Sequence, residues 1–220
     1  MKSSYEYRMQ ARELIQHRWR EIIIVSGIIM LSTIILTMLP NINVLKKFTL
    51  STSLWITVGY LIINFLPLLI VPIRHSLYTA ILNKNRGSEE NILHLTWQQI
   101  ETHYLRFLVA SIITIIVTLF VGLFTLGIGA IILSYAYRMV PYLLSDYPQI
   151  SASQAVKISR EMMKGYKFKL FILDLSFIGW ILVCILTFGL ATLVVAPWIN
   201  AASGLFYDDL KAKTIVESED

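Results

Sequence analysis

Six apolar segments of near-spanning length dominate this 220-residue chain. At a rise of 1.5 Å per residue, a helix of 18 to 20 residues is about 27–30 Å long, which matches the hydrocarbon thickness of a bilayer. A content of 56% hydrophobic and 15% charged residues, with a mean hydropathy of +0.65, is too apolar for an ordinary soluble domain. The segments are residues 22–39, 54–73, 107–124, 127–145, 168–185 and 189–207, one of them interrupted by glycine.

The sequence therefore predicts an all-α, polytopic membrane helix bundle with six transmembrane helices in three hairpins. Each hairpin is preceded by a polar segment with helical periodicity, which we expect to form an amphipathic helix at the cytoplasmic interface. Each unit also has a proline toward the end of its second span, at Pro72, Pro141 and Pro197, where a kink or an early helix end is expected. We interpret the chain as a single membrane domain, 1–220, with approximate units 4–80, 88–148 and 151–210 and a short cytoplasmic tail at 211–220.

The three polar segments each carry an apolar stripe at helical spacing. In the third segment, Ser151 and Gln154 have the spacing of a capping box, which predicts a helix start there. The stripes are Tyr7, Ala11, Leu14, Ile15 and Trp19 in the first segment, Leu93, Trp97, Ile100 and Tyr104 in the second, and Ala155, Ile158 and Met162 in the third.

Lysine and arginine are distributed unevenly across this six-span arrangement. Of the 19 such residues, all but Lys46 and Lys47 fall on the side of the two chain ends. Because loops that carry Lys and Arg are retained in the cytoplasm, both termini are predicted to be cytoplasmic. The fifteen-residue stretch from Pro40 and the two short connections near Leu126 and Phe188 are then expected to face outward.

Basic residues also line the polar faces of the expected interfacial helices. The formal net charge of +5 could indicate a nucleic-acid partner, but the basic residues lie beside apolar spans. Anionic lipid headgroups are therefore the expected partner, and no nucleic acid is expected. The candidate interfacial cations are Arg8, Arg12, Arg20, Lys157, Arg160 and Lys164.

Four polar residues fall at one level inside four different spans. Asn64, Arg138, Asp174 and Asn200 lie six to nine residues from the cytoplasmic ends of their spans, which is about 9–14 Å along a helix axis. A charged side chain well inside a membrane helix costs about 2.5–3.5 kcal/mol, so a pair of Arg138 with Asp174 offsets much of that cost. One interpretation is a polar pocket for a lipid headgroup, a peptide or an ion. The other is structural: Arg138 extends to the cytoplasmic surface, and Asp174 and the asparagines link helices.

The C-terminal part of the chain carries the motifs of a known family. The matching residues include Ser-Arg-Glu-Met-Met-Lys-Gly at 159–165, Leu-Ser-Phe-Ile-Gly-Trp at 175–180, Leu-Thr-Phe-Gly at 186–189, Pro197 and Phe-Tyr-Asp-Asp-Leu at 206–210. On these motifs the chain resembles the uncharacterised bacterial integral membrane proteins of the domain-of-unknown-function family 975. The resemblance implies a multi-pass protein of the bacterial plasma membrane, and it brings no established reaction or ligand.

Motifs for catalysis are missing from the sequence. It contains no Gly-x-Ser-x-Gly elbow, no His-Glu-x-x-His helix and no phosphate-binding loop. Its single cysteine, Cys184, can form no internal disulfide or thiolate cluster. His94, Glu101 and His103 are close in sequence, but the spacing of nine between the histidines puts them on different helix faces. We therefore expect no metal site and no cofactor.

The sequence thus favours a non-enzymatic membrane protein that acts by binding lipids or a membrane-inserted polypeptide. One alternative is transport of a small or amphipathic solute, for which the prolines and Asp174 give slight support. Another is immunity against a bacteriocin or another membrane-directed toxin, which fits the size and location of the protein but has no dedicated motif. The sequence leaves the oligomeric state open.

Overall fold

The computed structural model describes residues 1–16, 18–38, 66–88 and 90–219, with side chains for all of these except 36–38, 66–67 and 214–219. Every regular element in these ranges is helical. The elements are α1 (Ser4–Gln16), α2 (Trp19–Met38), a 3-10 helix (Leu66–Ile70), α3 (Val71–Asn85), α4 (Ile92–Phe124), α5 (Ile128–Ala136), α6 (Val140–Asp146), α7 (Ala152–Met162), α8 (Lys167–Leu175), α9 (Ile178–Leu186) and α10 (Thr192–Glu219).

Local sequence signals explain several helix starts. The capping box of α7 is confirmed, because Ser151 Oγ accepts from the Gln154 amide and the Gln154 side chain accepts from the Ser151 amide. Pro72 and Pro141 lie in the first turns of α3 and α6, where a missing N–H costs nothing. Pro197 instead lies inside α10, which continues to Glu219, so the early helix end considered for that position is not found.

The C-terminal helix α10 forms the centre of the bundle. It contacts α1, α2, α3, α7, α8 and α9. Small residues at positions 201–204 let the neighbouring helices approach closely, and a Cβ added to Gly204 would lie 3.1 Å from Leu82 on α3. One turn further, Phe206 and Tyr207 are fully buried. The core therefore gathers around the middle of α10.

Apolar side chains cover the outer faces of α2, α4, α5 and α9. Leu119 on α4 and Ile131 on α5, for example, are 69% and 60% exposed. In the described part of the chain, α4 and the stretch 128–146 formed by α5 and α6 are long and apolar enough to cross a membrane. If α8 and α9, which meet at a bend of 46°, form one broken span, the described spans number three. An apolar surface of this extent indicates a helical membrane protein.

The second polar segment is not a separate helix, because α4 continues from it into the third apolar segment over 33 residues. In its apolar stripe, Leu93 and Trp97 are exposed and do not pack in the core of the bundle. The buried side follows a 3.6-residue period through Ile92, Leu95, Gln99, Phe107 and Ala110. One continuous helix has one buried side, so the packing of its apolar half also sets the orientation of its polar half.

Other element boundaries differ from those expected. The segment 127–145 is divided into α5 and α6, and the segment 168–185 is divided into α8 and α9. Helix α3 continues past residue 73 to Asn85, and α10 extends through the predicted tail as far as Glu219. Most of the segment 54–73 lies outside the described residues.

Candidate functional site

Two helix breaks leave backbone carbonyls that cannot bond within their own helix, and surface helices provide the donors. At the break between α5 and α6, the Ser159 hydroxyl of α7 donates to the Ala136 carbonyl at 2.8 Å. At the break between α8 and α9, Arg8 Nη1 of α1 donates to the Ser176 carbonyl at 2.7 Å. A buried carbonyl without a partner is costly, so these bonds stabilise the breaks and fix α7 and α1 to the bundle.

The predicted charged residues lie beside these two breaks. Arg138 is within the first break, and its Nη2 is 3.7 Å from Asp174 Oδ1 in the last turn of α8. Arg138 Nη2 also lies 3.4 Å from the Ser203 hydroxyl of α10. The Asp174 Oδ1 atom is buried and accepts no hydrogen bond. The ion pair is therefore loose, which leaves guanidinium donors available to another acceptor.

The two asparagines of the predicted polar level contribute differently. Asn200 Nδ2 donates to the Ala196 carbonyl of its own helix at 2.7 Å, and the Asn200 carbonyl accepts from the Tyr142 hydroxyl at 2.9 Å. Asn200 thus links α10 to α6. Asn64 lies outside the described residues, so of the four predicted members the structure brings together Arg138 and Asp174.

A cavity of about 380 Å³ lies next to Arg138, between α4 and the α5–α6 pair. Its walls are mostly apolar, with hydroxyl-bearing residues interspersed, and Arg138 is the charged residue among its described lining. Ile115 and Leu119 of the same wall are exposed on the outer apolar surface of α4. The cavity therefore lies beside the surface that faces lipid. Its hydroxyl-bearing residues are Ser111, Thr114, Thr118, Ser134 and Tyr137.

His75 is a lining residue that sequence reasoning missed. His75 was not among the predicted site residues, because it has no motif partner in the sequence. The structure instead places it in the cavity wall with a buried Nδ1 that has no hydrogen-bond partner, and its ring lies 6.2 Å from that of Phe107. The sequence signal that could have indicated this placement is the position of His75 three residues after Pro72, in the first turns of α3.

Most of the predicted interfacial cations are exposed, with one exception. Arg8 is half-buried, donates to the Ser176 carbonyl, and its own carbonyl accepts from Trp198 Nε1 at 2.9 Å. Arg8 therefore joins α1 to the bundle. The exposed cations are Arg12, Arg20, Lys157, Arg160 and Lys164.

A second charged cluster joins parts of the chain that are distant in sequence. Asp146, at the end of α6, accepts from Arg86 Nη1 at 2.5 Å, from Lys211 Nζ at 2.8 Å and from the Tyr207 hydroxyl at 3.0 Å. Arg86 also pairs with Asp208 of α10. Burial alone would lower the pKa of Lys211, but the hydrogen bond to Asp146, the charge of Asp146 and Tyr147 together outweigh it, so that pKa lies above its ordinary value.

The residues considered for metal binding are not brought together. His94 Nδ1 lies 2.8 Å from Glu90, and Glu101 accepts from Trp97 Nε1 at 2.6 Å. His103 packs instead against Phe107. Across the described ranges, no group of three His, Cys, Asp or Glu side chains could hold a metal ion.

Comparison with known proteins identifies the family. Neither the curated proteins nor the solved structures gave a match. A family model described as "Protein of unknown function (DUF975)" matches residues 92–214, more than half of the chain. The match extends from α4 into α10, so it includes Arg138, Asp174 and Asp146 but neither Arg8 nor His75. The chain therefore belongs to the DUF975 family, as its motifs had predicted.

Proposed function

We propose that this protein is a non-enzymatic, multi-pass membrane protein that binds an anionic amphiphile, such as a membrane lipid, in the cavity beside Arg138. The observation that carries the proposal is a mostly apolar cavity of about 380 Å³ with a cationic side chain in its wall. Small-molecule sites measure roughly 300–1,000 Å³, and a helix with side chains is about 10 Å wide. The volume therefore favours a headgroup with part of an acyl chain over a membrane-inserted polypeptide.

The chemistry of the cavity agrees with such a ligand. A guanidinium group binds carboxylate or phosphate oxygens through several N–H donors, and Arg138 is held only loosely by Asp174. The hydroxyls of Ser111 and Thr114 both bond backbone carbonyls of their own helix. This leaves the cavity wall largely apolar around a single cation.

The same proposal places the protein in six spans with both termini in the cytoplasm of a bacterial cell. The 20-residue helix α2 supports a further crossing, because Leu31 and Ile35 on its surface are exposed. Exposed cations on α1, α2 and α7 are suited to the anionic headgroups of the inner leaflet. The uneven distribution of Lys and Arg supports the direction of threading.

Native mass spectrometry of gently extracted protein tests the lipid site. Arg138→Gln should retain at least about tenfold less phosphatidylglycerol than wild type, because a charge-assisted hydrogen bond contributes about 1.5–3 kcal/mol. Retention of zwitterionic phosphatidylcholine should change little. Lys157→Gln, which removes an exposed cation from α7, is the matched control and should retain the wild-type amount.

A second variant controls for misfolding caused by the unpaired Asp174. Arg138→Gln combined with Asp174→Asn removes both charges of the pair and should show the same loss of phosphatidylglycerol. Equal retention by all three variants and the wild type would exclude Arg138 as the headgroup ligand.

Transport of an amphipathic solute is a second candidate, favoured by the 46° bend between α8 and α9 next to Asp174. Broken helices line the substrate path in many transporters. Single cysteines at Phe171 and Leu175, in a chain carrying Cys184→Ala, distinguish the two candidates. Labelling from both sides of the membrane favours transport, and labelling from the cytoplasm alone favours a binding pocket.

A further inference from the structure

Two hairpin turns of this protein share one backbone construction. Residues 125–127 read Thr-Leu-Gly and residues 187–189 read Thr-Phe-Gly. The central residues are left-handed, with φ of +50° at Leu126 and +52° at Phe188, and the following glycines both have a φ of +88°. Left-handed backbone costs a bulky residue about 1–2 kcal/mol. Because a bulky residue bears this cost in both turns, the left-handed conformation is a structural requirement of the turn.

Several backbone amides of the first turn find their acceptors within the turn. The Gly127 amide donates to the Gly122 carbonyl at 2.8 Å. The Thr125 hydroxyl accepts from the Gly129 amide at 2.8 Å and donates to the Val121 carbonyl at 2.7 Å. The threonine side chain therefore caps the start of α5.

The second turn repeats these bonds at equivalent positions. The Gly189 amide donates to the Cys184 carbonyl at 2.8 Å. The Thr187 hydroxyl accepts from the Ala191 amide at 3.1 Å and donates to the Val183 carbonyl at 2.9 Å. A turn in water has no need to supply these partners, whereas backbone in hydrocarbon must find them within the protein.

The tips of both turns are apolar and unusually exposed. Leu126 is 94% exposed and Phe188 is 98% exposed. Residues 107–137 and 175–207, which contain the turns, include no Asp, Glu, Lys or Arg. Polar rims are expected where a loop enters water, so this composition indicates an apolar environment.

The hairpin arms are also slightly short for a complete crossing. From Arg106 to the end of α4 the axial rise is about 27 Å, and from Lys169 to the end of α9 it is about 26 Å before the 46° bend shortens it. The hydrocarbon layer is about 30 Å thick. With the two cations at the inner boundary, both helical arms end short of the outer boundary, and the turn tips two residues further lie at most at that boundary.

We propose that both turns end inside the hydrocarbon of the far leaflet, where Leu126 and Phe188 contact lipid acyl chains instead of external water. This inference rests on the membrane placement in the proposed function, and it is independent of any ligand in the cavity. It changes the expectation that these two connections face the aqueous phase outside the cell.

Spin labels at single cysteines test the depth of the turns. Leu126→Cys and Phe188→Cys, each combined with Cys184→Ala, are labelled with a nitroxide and reconstituted into phosphatidylcholine–phosphatidylglycerol vesicles. Collisions with oxygen, which concentrates in hydrocarbon, should exceed collisions with a water-soluble nickel chelate at both sites. Glu161→Cys, on the exposed face of α7, is the control and should show the reverse.

Nickel collisions at both turns as frequent as at the control position would overturn the inference. So would labelling of either unmodified cysteine by a membrane-impermeant maleimide in intact vesicles of mixed orientation. If Leu126→Cys does not reconstitute, Ile128→Cys, which is 66% exposed at the same turn, replaces it. A protein that does not float with the vesicles contradicts the membrane placement itself, and thus both proposals.

Discussion

At the scale of single residues, the Arg138–Asp174 pair is the feature whose energetics can be measured most directly. Asp174→Leu leaves the guanidinium without its counter-charge, so the folded yield should fall. The cost should stay below the ~2.5–3.5 kcal/mol of an isolated charge in lipid, because the pair is partly exposed. Adding Arg138→Met removes the stranded charge and should restore the yield, as measured by the monomer peak in size-exclusion chromatography. A double variant no better than Asp174→Leu would refute the ion-pair account.

A second prediction concerns Asp146, whose side chain is 7% exposed and accepts from three groups. Asp146→Asn weakens its bonds to Arg86 and Lys211, so unfolding should become easier by about 1.5–3 kcal/mol. Asp208→Asn is the matched control, since that side chain is 30% exposed and pairs with Arg86. A clearly lower melting temperature for Asp146→Asn than for Asp208→Asn is expected, and equal shifts would contradict it.

At the scale of elements, two surface helices are attached to the bundle through broken helices. Arg8→Met removes the donor to the Ser176 carbonyl and should lower the melting temperature, because a partly buried acceptor loses a charged partner. Arg12→Met, on the same helix but exposed, should leave it unchanged. Trypsin cleavage at Arg18 and Arg20 should also become faster in the Arg8 variant alone. Matching stabilities for the two variants would show that α1 is held by its apolar face.

Element types could be predicted from the sequence, whereas long-range partners could not. The apolar periodicity and the Ser151 capping box predicted helices, and the structure confirms them, because both are local features of the sequence. The break at Ser176 has no proline, and its partner Arg8 is 168 residues away. The side of α4 that packs in the bundle could not be predicted, because the continuity of this helix with its membrane half decides it. Asp146 and Arg86, similarly, come together only through the packing of α3, α6 and α10.

At the scale of the whole molecule, the distribution of Lys and Arg predicts that both chain ends lie in the cytoplasm. Reporter fusions at each end should therefore be active for a reporter that works in the cytoplasm and inactive for one that requires export. Removing the two lysines that the threading predicts to lie outside is a useful control: Lys46→Gln with Lys47→Gln should leave this topology unchanged, because it increases the existing asymmetry. Ends found on opposite faces would require an odd number of crossings.

The central position of α10 has a consequence for biosynthesis. Tyr7 and Arg8 of α1 bond to Asp209 and Trp198, which the ribosome adds 202 and 190 residues later. Until then the nascent chain lacks α10, so the core residues that pack against this helix stay exposed. The bundle can therefore pack only after α10 has been synthesised. A chain terminated before α10 should be removed by quality-control proteases.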